Sequence, residues 1–432
     1  MAGECLLIGR ERFETVPYIK DNLMLISKPE LVCPAGDWSA LLTVVENGAD
    51  SVYFGIKGLN MRNMAANFDV LELKKIMNFL HKNNKRGYLA LNVIVFDREL
   101  KKIEKILKYA KIAQVDAVIL WDMAIFSLAK KIGLCIHLST QASVANTEAA
   151  IFFAGLGAER IVLARECTLS DIKNISTQLK KNKIRCEIEA FVHGAMCISI
   201  SGRCFLSAYS SGKSANRGEC WQYCRREFLI KDETAEADYV LGKDYLLSAK
   251  DLCTIDFIGQ LIDAGITSFK IEGRGRASDY LKVVTSVYRK AIDAYANGCF
   301  SEQMRNEFKQ KLDSVFNRGF STGFYFGQPQ NAISRSLENT YLKVFLGEVV
   351  KFYKKINVAE IIVRNQVLKK GDKLLFTGKH SAARFVYAEQ LQQNHNFVEQ
   401  VKKGEYAGIK LPFQVKPKDK VFLFQKNSYT QT

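Results

Sequence analysis

The sequence has no run approaching the roughly 18 consecutive apolar residues that a membrane-spanning helix needs, so no transmembrane segment is expected. Its opening breaks a short apolar run with Arg10, Glu11 and Arg12, which argues against a secretory leader. Three motifs are missing as well. No GxGxxG follows the first strand-like run, which counts against a dinucleotide-binding sheet. No HExxH offers a zinc-protease centre. No CxxC pair offers the close spacing usual in structural zinc sites.

What is present has the balance of a soluble globular protein, with 48% hydrophobic and 25% charged residues. The 432 residues suit one large domain and a smaller one. Lys+Arg 62 against Asp+Glu 45 gives +17, so an anionic partner is expected. The excess is uneven. Residues 331–432 hold 18 Lys+Arg and 8 Asp+Glu, a net +10, and the first 330 residues hold the remaining +7. Eleven cysteines without a leader point to a reducing cytoplasm, where cysteine clusters mean metal or catalysis more often than disulfides.

Residues 1–28 show no periodicity and read as an N-terminal extension. Over residues 29–330, short apolar, β-rich runs alternate with segments of helical spacing. The strand candidates are Leu31–Pro34, Ser51–Gly55, Gly87–Val95, Ala117–Leu120, Leu134–Leu138, Arg160–Ala164, Arg185–Phe191 and Ser268–Glu272. The rhythm predicts an α/β fold, a (β/α)8 TIM-like barrel, with a doubly wound open sheet as the alternative. Residues 193–245, rich in Cys, Gly, Ser and Arg, interrupt it. Barrels carry their chemistry on loops at strand C-termini, so this insertion is the expected active-site element. Gly319, Gly323, Gly327 and Pro329 mark a linker. Residues 340–428 carry short strands and turns such as Lys370-Gly371-Asp372, and read as a small basic all-β barrel.

Five cysteines fall in one stretch: Cys197-x6-Cys204-x15-Cys220-x3-Cys224, then Cys253. Four thiolates hold either zinc or an iron–sulfur cluster, and the mixed spacing leans toward the cluster. The other six read as small buried hydrophobes. Lys270 and Glu272 lie two apart on one strand and share a face, as catalytic groups or as a buried ion pair. Glu189 and His193 flank the end of the seventh strand as candidate proton-transfer groups, with a structural hydrogen bond as the other reading of His193. His137 and His193 are the only histidines at strand ends, and neither has an evident triad around it. Gln141 reads as a base-edge contact or a loop cap. In the basic module, lysine runs alternate with Tyr353, Phe376, Phe385, Tyr387 and Phe413, the pattern of an RNA-binding face or of a solvated surface over a β core.

Several segments together resemble the peptidase U-32 family. They are Glu189-Ala-Phe-Val-His193-Gly-Ala-Met-Cys197, Ser201-Gly-Arg-Cys204-Phe-Leu-Ser207, Glu30-Leu-Val-Cys-Pro34-Ala-Gly36, Asn47-Gly-Ala-Asp50-Ser-Val-Tyr53, His137-Leu-Ser-Thr-Gln141 and Phe269-Lys-Ile-Glu-Gly-Arg274. The resemblance runs from about Glu30 to Tyr325. It implies either a collagenase-like peptidase or an oxygen-independent hydroxylase. The hydroxylases of the family act on a tRNA wobble uridine with prephenate as hydroxyl donor, on a 23S rRNA cytidine, or on the ubiquinone ring. For this chain, tRNA is the expected partner, with rRNA as the alternative. The resemblance implies a 4Fe–4S cluster on Cys197, Cys204, Cys220 and Cys224, with Cys253 as a competing fourth ligand; a zinc-stabilised RNA-binding protein is the non-enzymatic alternative. Prephenate is a dicarboxylate, and Arg165, Arg203 and Arg274 are the forks expected to hold it.

Overall fold

The computed structural model describes residues 28–226, 244–327, 333–335 and 340–426. The expected extension over 1–28 therefore lies, apart from Lys28, outside the described residues, as do part of the insertion and Pro329.

Eight parallel strands close on themselves. β1 (Glu30–Ala35) is followed by α1 (Trp38–Glu46), β2 (Ser51–Gly55) by α2 (Leu73–Lys82), and β3 (Arg86–Ala90) by α3 (Asp97–Ile112). β4 (Ala117–Leu120) precedes α4 (Met123–Ile132), β5 (Ile136–Leu138) precedes α5 (Thr147–Leu156), and β6 (Arg160–Val162) precedes α6 (Leu169–Lys181). β7 (Glu187–Gly194) opens the insertion, which holds α7 (Leu206–Ser211) and is followed by β8 (Asp244–Ala249) and β9 (Asp251–Cys253). Then come α8 (Ile258–Asp263), β10 (Ser268–Ile271), α9 (Ser278–Ala296), α10 (Glu302–Asp313) and β11 (Phe320–Ser321). β10 pairs in parallel with both β7 and β1, which closes the barrel. The expected TIM-like barrel is the fold, and the open doubly wound sheet is not.

The strands read as continuous apolar runs because both their faces are covered, β1 being buried at all six positions. The helices show the complementary pattern. In α3, Ile103, Ile106, Leu107 and Ala110 form the buried stripe while the lysines between them stay outside. Each fully buried Leu or Ile contributes roughly 1.5–3 kcal/mol, so truncating Leu107 to Ala would cost roughly 2–5 kcal/mol. Side-chain caps start α1, α4, α5 and α6 at Asp37, Asp122, Asn146 and Thr168. Left-handed Gly133 and Gly157 end α4 and α5.

The lower barrel interior is ionic. Arg160 is 1% exposed and donates to Glu189 at 3.1 Å, to Ser268 at 3.2 Å, and to Glu30 and Glu187. Glu189 also pairs with Lys270. A buried charge without partners would be prohibitive, and here each has one or more.

After β12 (Ile333–Arg335), the chain enters an antiparallel unit. It comprises β13 (Tyr341–Tyr353), β14 (Val358–Val363), β15 (Leu368–Lys369), β16 (Lys373–Gly378), β17 (Ser381–Tyr387), β18 (Leu391–Gln393), β19 (Asn396–Val398), β20 (Gln400–Val401), β21 (Tyr406–Lys410) and β22 (Lys420–Lys426). Eight of these strands form one sheet, ordered β17-β16-β22-β13-β14-β21-β18-β19. The expected all-β unit is present as this antiparallel sheet, and among the described residues no pairing joins its two end strands. It has its own apolar core around Leu346, Ile361, Phe376 and Val421. Phe376 belongs to that core and is not free to stack on a base, and the half-buried Phe413 packs against it, their rings 5.9 Å apart. Tyr353 and Tyr387 are exposed. The unit docks on the barrel through β17, where the Ala383 N–H donates to Thr43 Oγ1 at 2.9 Å and Arg384 pairs with Glu46 at 2.7 Å.

Candidate active site at the barrel mouth

The C-terminal ends of the strands and the insertion enclose a cavity of about 530 Å³, within the range of small-molecule sites. Its wall holds Tyr53, Arg62, Asn92, Gln141, Arg165, Phe191, Lys270, Glu272, Arg274, Arg276 and Arg318, and also Cys197, Cys204, Cys220 and Cys224. The insertion thus builds one side of the cavity. Gly218, in the turn between Cys204 and Cys220, has φ +83°, and a Cβ there would lie 2.0 Å from the Asn60 carbonyl oxygen. The insertion packs against the loop after β2 at a point only glycine allows.

The charges on the wall differ in how they are compensated. Glu272 accepts from Arg62 Nη2 at 2.9 Å and from Nε at 3.2 Å. Burial would raise the Glu272 pKa, but Arg62, Arg165 and Arg276 hold it below the ordinary carboxylate value. Arg276 and Arg318 share Asp251, at 3.1 and 3.4 Å. Lys270 has Glu189, and lies over the Tyr53 ring at 4.4 Å. Arg165 donates to the Ala195 carbonyl at 2.7 Å and lies 4.0 Å from the Phe191 ring centre. Arg274 is different. It is 5% exposed, and its buried Nη1 has no hydrogen-bond partner among the described residues. Burial pulls its pKa down to about 10. One nitrogen of a buried guanidinium is thus left unsatisfied beside the cavity, a state that costs free energy unless a partner is supplied. Gly36 keeps this corner tight, since a Cβ there would lie 2.3 Å from the Arg274 carbonyl oxygen.

The four cavity cysteines are close enough to act on one another. Burial, with neighbouring Cys197, Cys220 and Cys204, pushes the Cys224 thiol up against the opposing pull of Arg225. Cys204 is positioned through its backbone N–H, which donates to Asn216 Oδ1 at 2.9 Å. Cys253 is not with them. It sits on β9, 8% exposed, 3.9 Å from the Tyr288 hydroxyl, with its pKa raised to about 12 by burial. Among the described residues no three His, Cys, Asp or Glu side chains converge tightly enough to share one metal ion.

Of the other residues singled out from the sequence, Gln141, Arg165, Lys270, Glu272 and Arg274 line the cavity; Glu189, His193, His137 and Arg203 do not. Lys270 and Glu272 do not pair with each other, because each has a nearer partner, Glu189 and Arg62. Glu189 lies below the cavity floor, where burial raises its pKa but Lys270 and Arg160 bring it down to about 2. His193 is turned away from the mouth. The β7–β10 register shifts after Lys270↔Phe191, and His193 then packs on Tyr280, Tyr288 and Phe320 instead of following Phe191 into the cavity. Burial lowers its pKa to about 3, so it stays neutral. His137 is buried against the Tyr88 ring at 4.6 Å, and burial holds its pKa well below the ordinary value. Arg203 is exposed and donates to Ser143 Oγ at 2.9 Å. Gln141 is 6% exposed and accepts from Asn92 Nδ2 at 3.3 Å, giving the cavity an amide edge. Arg62, Arg276 and Arg318 also line the cavity from loops, where no periodicity marks them, and Asn92 lies beyond the end of β3 at Ala90, within a run expected to be strand to Val95.

This architecture is that of a family. Residues 36–335 match the model of peptidase family U32, and the chain belongs to that family. Its relatives carry divergent names. It is 43% identical to an uncharacterized protease of Methanocaldococcus jannaschii, over 92% of this chain and 98% of that one. It is 35% identical to a collagenase of Porphyromonas gingivalis, over 93% and 99%. It is also 34% identical to tRNA hydroxylation protein P1 of Bacillus subtilis, over 83% and 86%.

Proposed function

We propose that this protein hydroxylates a tRNA wobble uridine at its 5 position, with prephenate supplying the hydroxyl group. In this reading Cys197, Cys204, Cys220 and Cys224 hold a 4Fe–4S cluster. One observation carries the proposal: four thiols and an unpaired buried arginine face the same small cavity. Four thiols on one cavity wall equal in number the thiolates a 4Fe–4S cluster takes. A single zinc needs its sulfurs drawn in to about 2.3 Å from one centre, whereas a cubane takes one thiolate per iron and spreads its ligands. Cys224 is favoured over Cys253 as fourth ligand because it shares the cavity. The cluster, when bound, supplies one-electron chemistry beside the substrate pocket.

The chain's own residues do the rest. Arg274 and Arg165 receive the carboxylates of the donor. Glu272 pairs with Arg62 and keeps that cation from competing for the same anion. The Gln141–Asn92 amides offer donors and acceptors to a pyrimidine edge. Tyr53 and Phe191 keep the floor apolar. The family name and two of the relatives point instead to peptide hydrolysis. Among the described residues neither His137 nor His193 reaches the cavity, so its Ser and Cys side chains lack a histidine base. Anaerobic purification with iron and sulfide analysis tests the cofactor; full zinc occupancy without visible absorbance would refute it. Nucleoside analysis of tRNA from a deletion strain tests the substrate.

A further inference from the structure

We infer that the outer face of α7 and the adjoining Trp221 form a stacking platform for the unpaired bases that flank the target nucleotide. This inference rests on the RNA reading proposed above. Phe205, 65% exposed, and Tyr209, 89% exposed, stand one helical turn apart with ring centroids separated by 6.1 Å. Trp221, 46% exposed, is tied to the same helix by its backbone N–H, which donates to Ser207 Oγ at 3.1 Å. Their immediate neighbours Leu206, Ser207, Cys220 and Gln222 line the cavity. One short segment therefore presents cavity wall on one side and bare rings on the other.

Exposed aromatic rings packed this closely have no reason to face water unless something covers them. Charge identifies the occupant. Residues 197–226 hold five Lys+Arg and one Glu; Arg217 pairs with Glu99 and Lys213 with Glu219, so Arg203, Arg225 and Arg226 leave a net positive surface that attracts a polyanion and repels a basic partner. Unpaired nucleic acid offers both halves of the match, since bases stack on aromatic rings and phosphates meet the cations. Geometry supplies the purpose. An enzyme acting on a base atom must take that base out of its stack, and rings at the rim replace the stacking its neighbours lose.

The test is fluorescence anisotropy with the full chain and a fluorescein-labelled RNA stem–loop, alongside the same sequence fully paired to its complement. Tyr209→Ala and Trp221→Ala should each weaken stem–loop binding roughly five- to 150-fold while leaving duplex binding unchanged. Trp221→Leu, which keeps apolar area without the aromatic face, should be as weak as Trp221→Ala. Unchanged stem–loop affinity in both alanine variants would overturn the platform. So would full recovery in Trp221→Leu, which would mark a general apolar surface of the kind a protein covers. A parent chain that binds neither RNA would instead overturn the RNA reading itself. No turnover enters this measurement, so its outcome is independent of the hydroxylation chemistry.

Discussion

Glu272 holds Arg62 through two hydrogen bonds, at 2.9 and 3.2 Å, while the guanidinium of Arg274 on the same wall keeps a buried nitrogen with no partner among the described residues. The two arginines share one cavity and are opposite in compensation. Arg62 is structural glue, and Arg274 is the charge on the wall that an incoming anion would satisfy.

Arg274→Met should therefore leave the thermal midpoint unchanged or higher, because an unpaired buried cation costs stability and a methionine fills similar space. The same variant should lose the midpoint rise that prephenate gives the parent. Ligand at a hundred times its Kd adds about 2.7 kcal/mol, which a thermal melt resolves. A prephenate shift that survives in the variant would remove Arg274 from the anion site.

The Glu189–Lys270 pair makes the contrary expectation. Lys270→Met leaves the buried Glu189 with only Arg160 and Ser268 as partners and should cost roughly 1–3 kcal/mol in denaturant unfolding. Glu189 has a folded pKa depressed from 4.5 to about 2. The unfolded state thus takes up the proton first, and this stabilisation is present above about pH 4.5 and lost as pH falls toward 2.

His193 titrates in an earlier window with the same sign. It accepts a proton at 6.5 when unfolded but only near 3 when buried among the tyrosines, so acidification from pH 6.5 toward 3 favours unfolding. His193→Phe should flatten the fall of the denaturant midpoint between pH 7 and 5. A variant as acid-sensitive as the parent would show that His193 is not sealed.

Cysteine replacements divide by location. Cys204→Ser and Cys224→Ser should lose bound iron and visible absorbance after anaerobic purification, whereas Cys253→Ser should keep both and change only stability. Iron retained in Cys224→Ser but absent from Cys253→Ser would reverse the assignment of the fourth ligand.

The basic C-terminal sheet should contribute to tRNA affinity without sequence preference. Replacing Lys354, Lys355, Lys402 and Lys403 with Gln should weaken tRNA binding and reduce the slope of log K against log salt by about one for each phosphate no longer neutralised. An unchanged slope would mark these lysines as a solvated surface.

The barrel was legible because parallel strands buried on both faces read as unbroken apolar runs such as Leu31–Pro34 and Ala117–Leu120. The cysteine cluster was legible because Cys204, Cys220 and Cys224 stand in a segment with no other periodicity to explain them. What stayed hidden depends on packing across the fold. His193 looked like a mouth residue from its place at a strand end, and a single register shift against β10 turns it onto α9. Lys270 and Glu272 share a face as expected, yet Glu189 and Arg62 reach them first. Arg62, Arg276 and Arg318 come from loops, where spacing carries no signal. Phe376 and Phe413 lie in strand and loop segments whose alternation does not tell core from surface until the sheet curls around them.

The most direct test of the central claim is nucleoside analysis of total tRNA from a strain lacking this protein, with and without the gene restored. 5-Hydroxyuridine derivatives should disappear in the deletion, return with the parent, and stay absent with Arg274→Met or Cys204→Ser. Undiminished 5-hydroxyuridine derivatives in the deletion strain would contradict it.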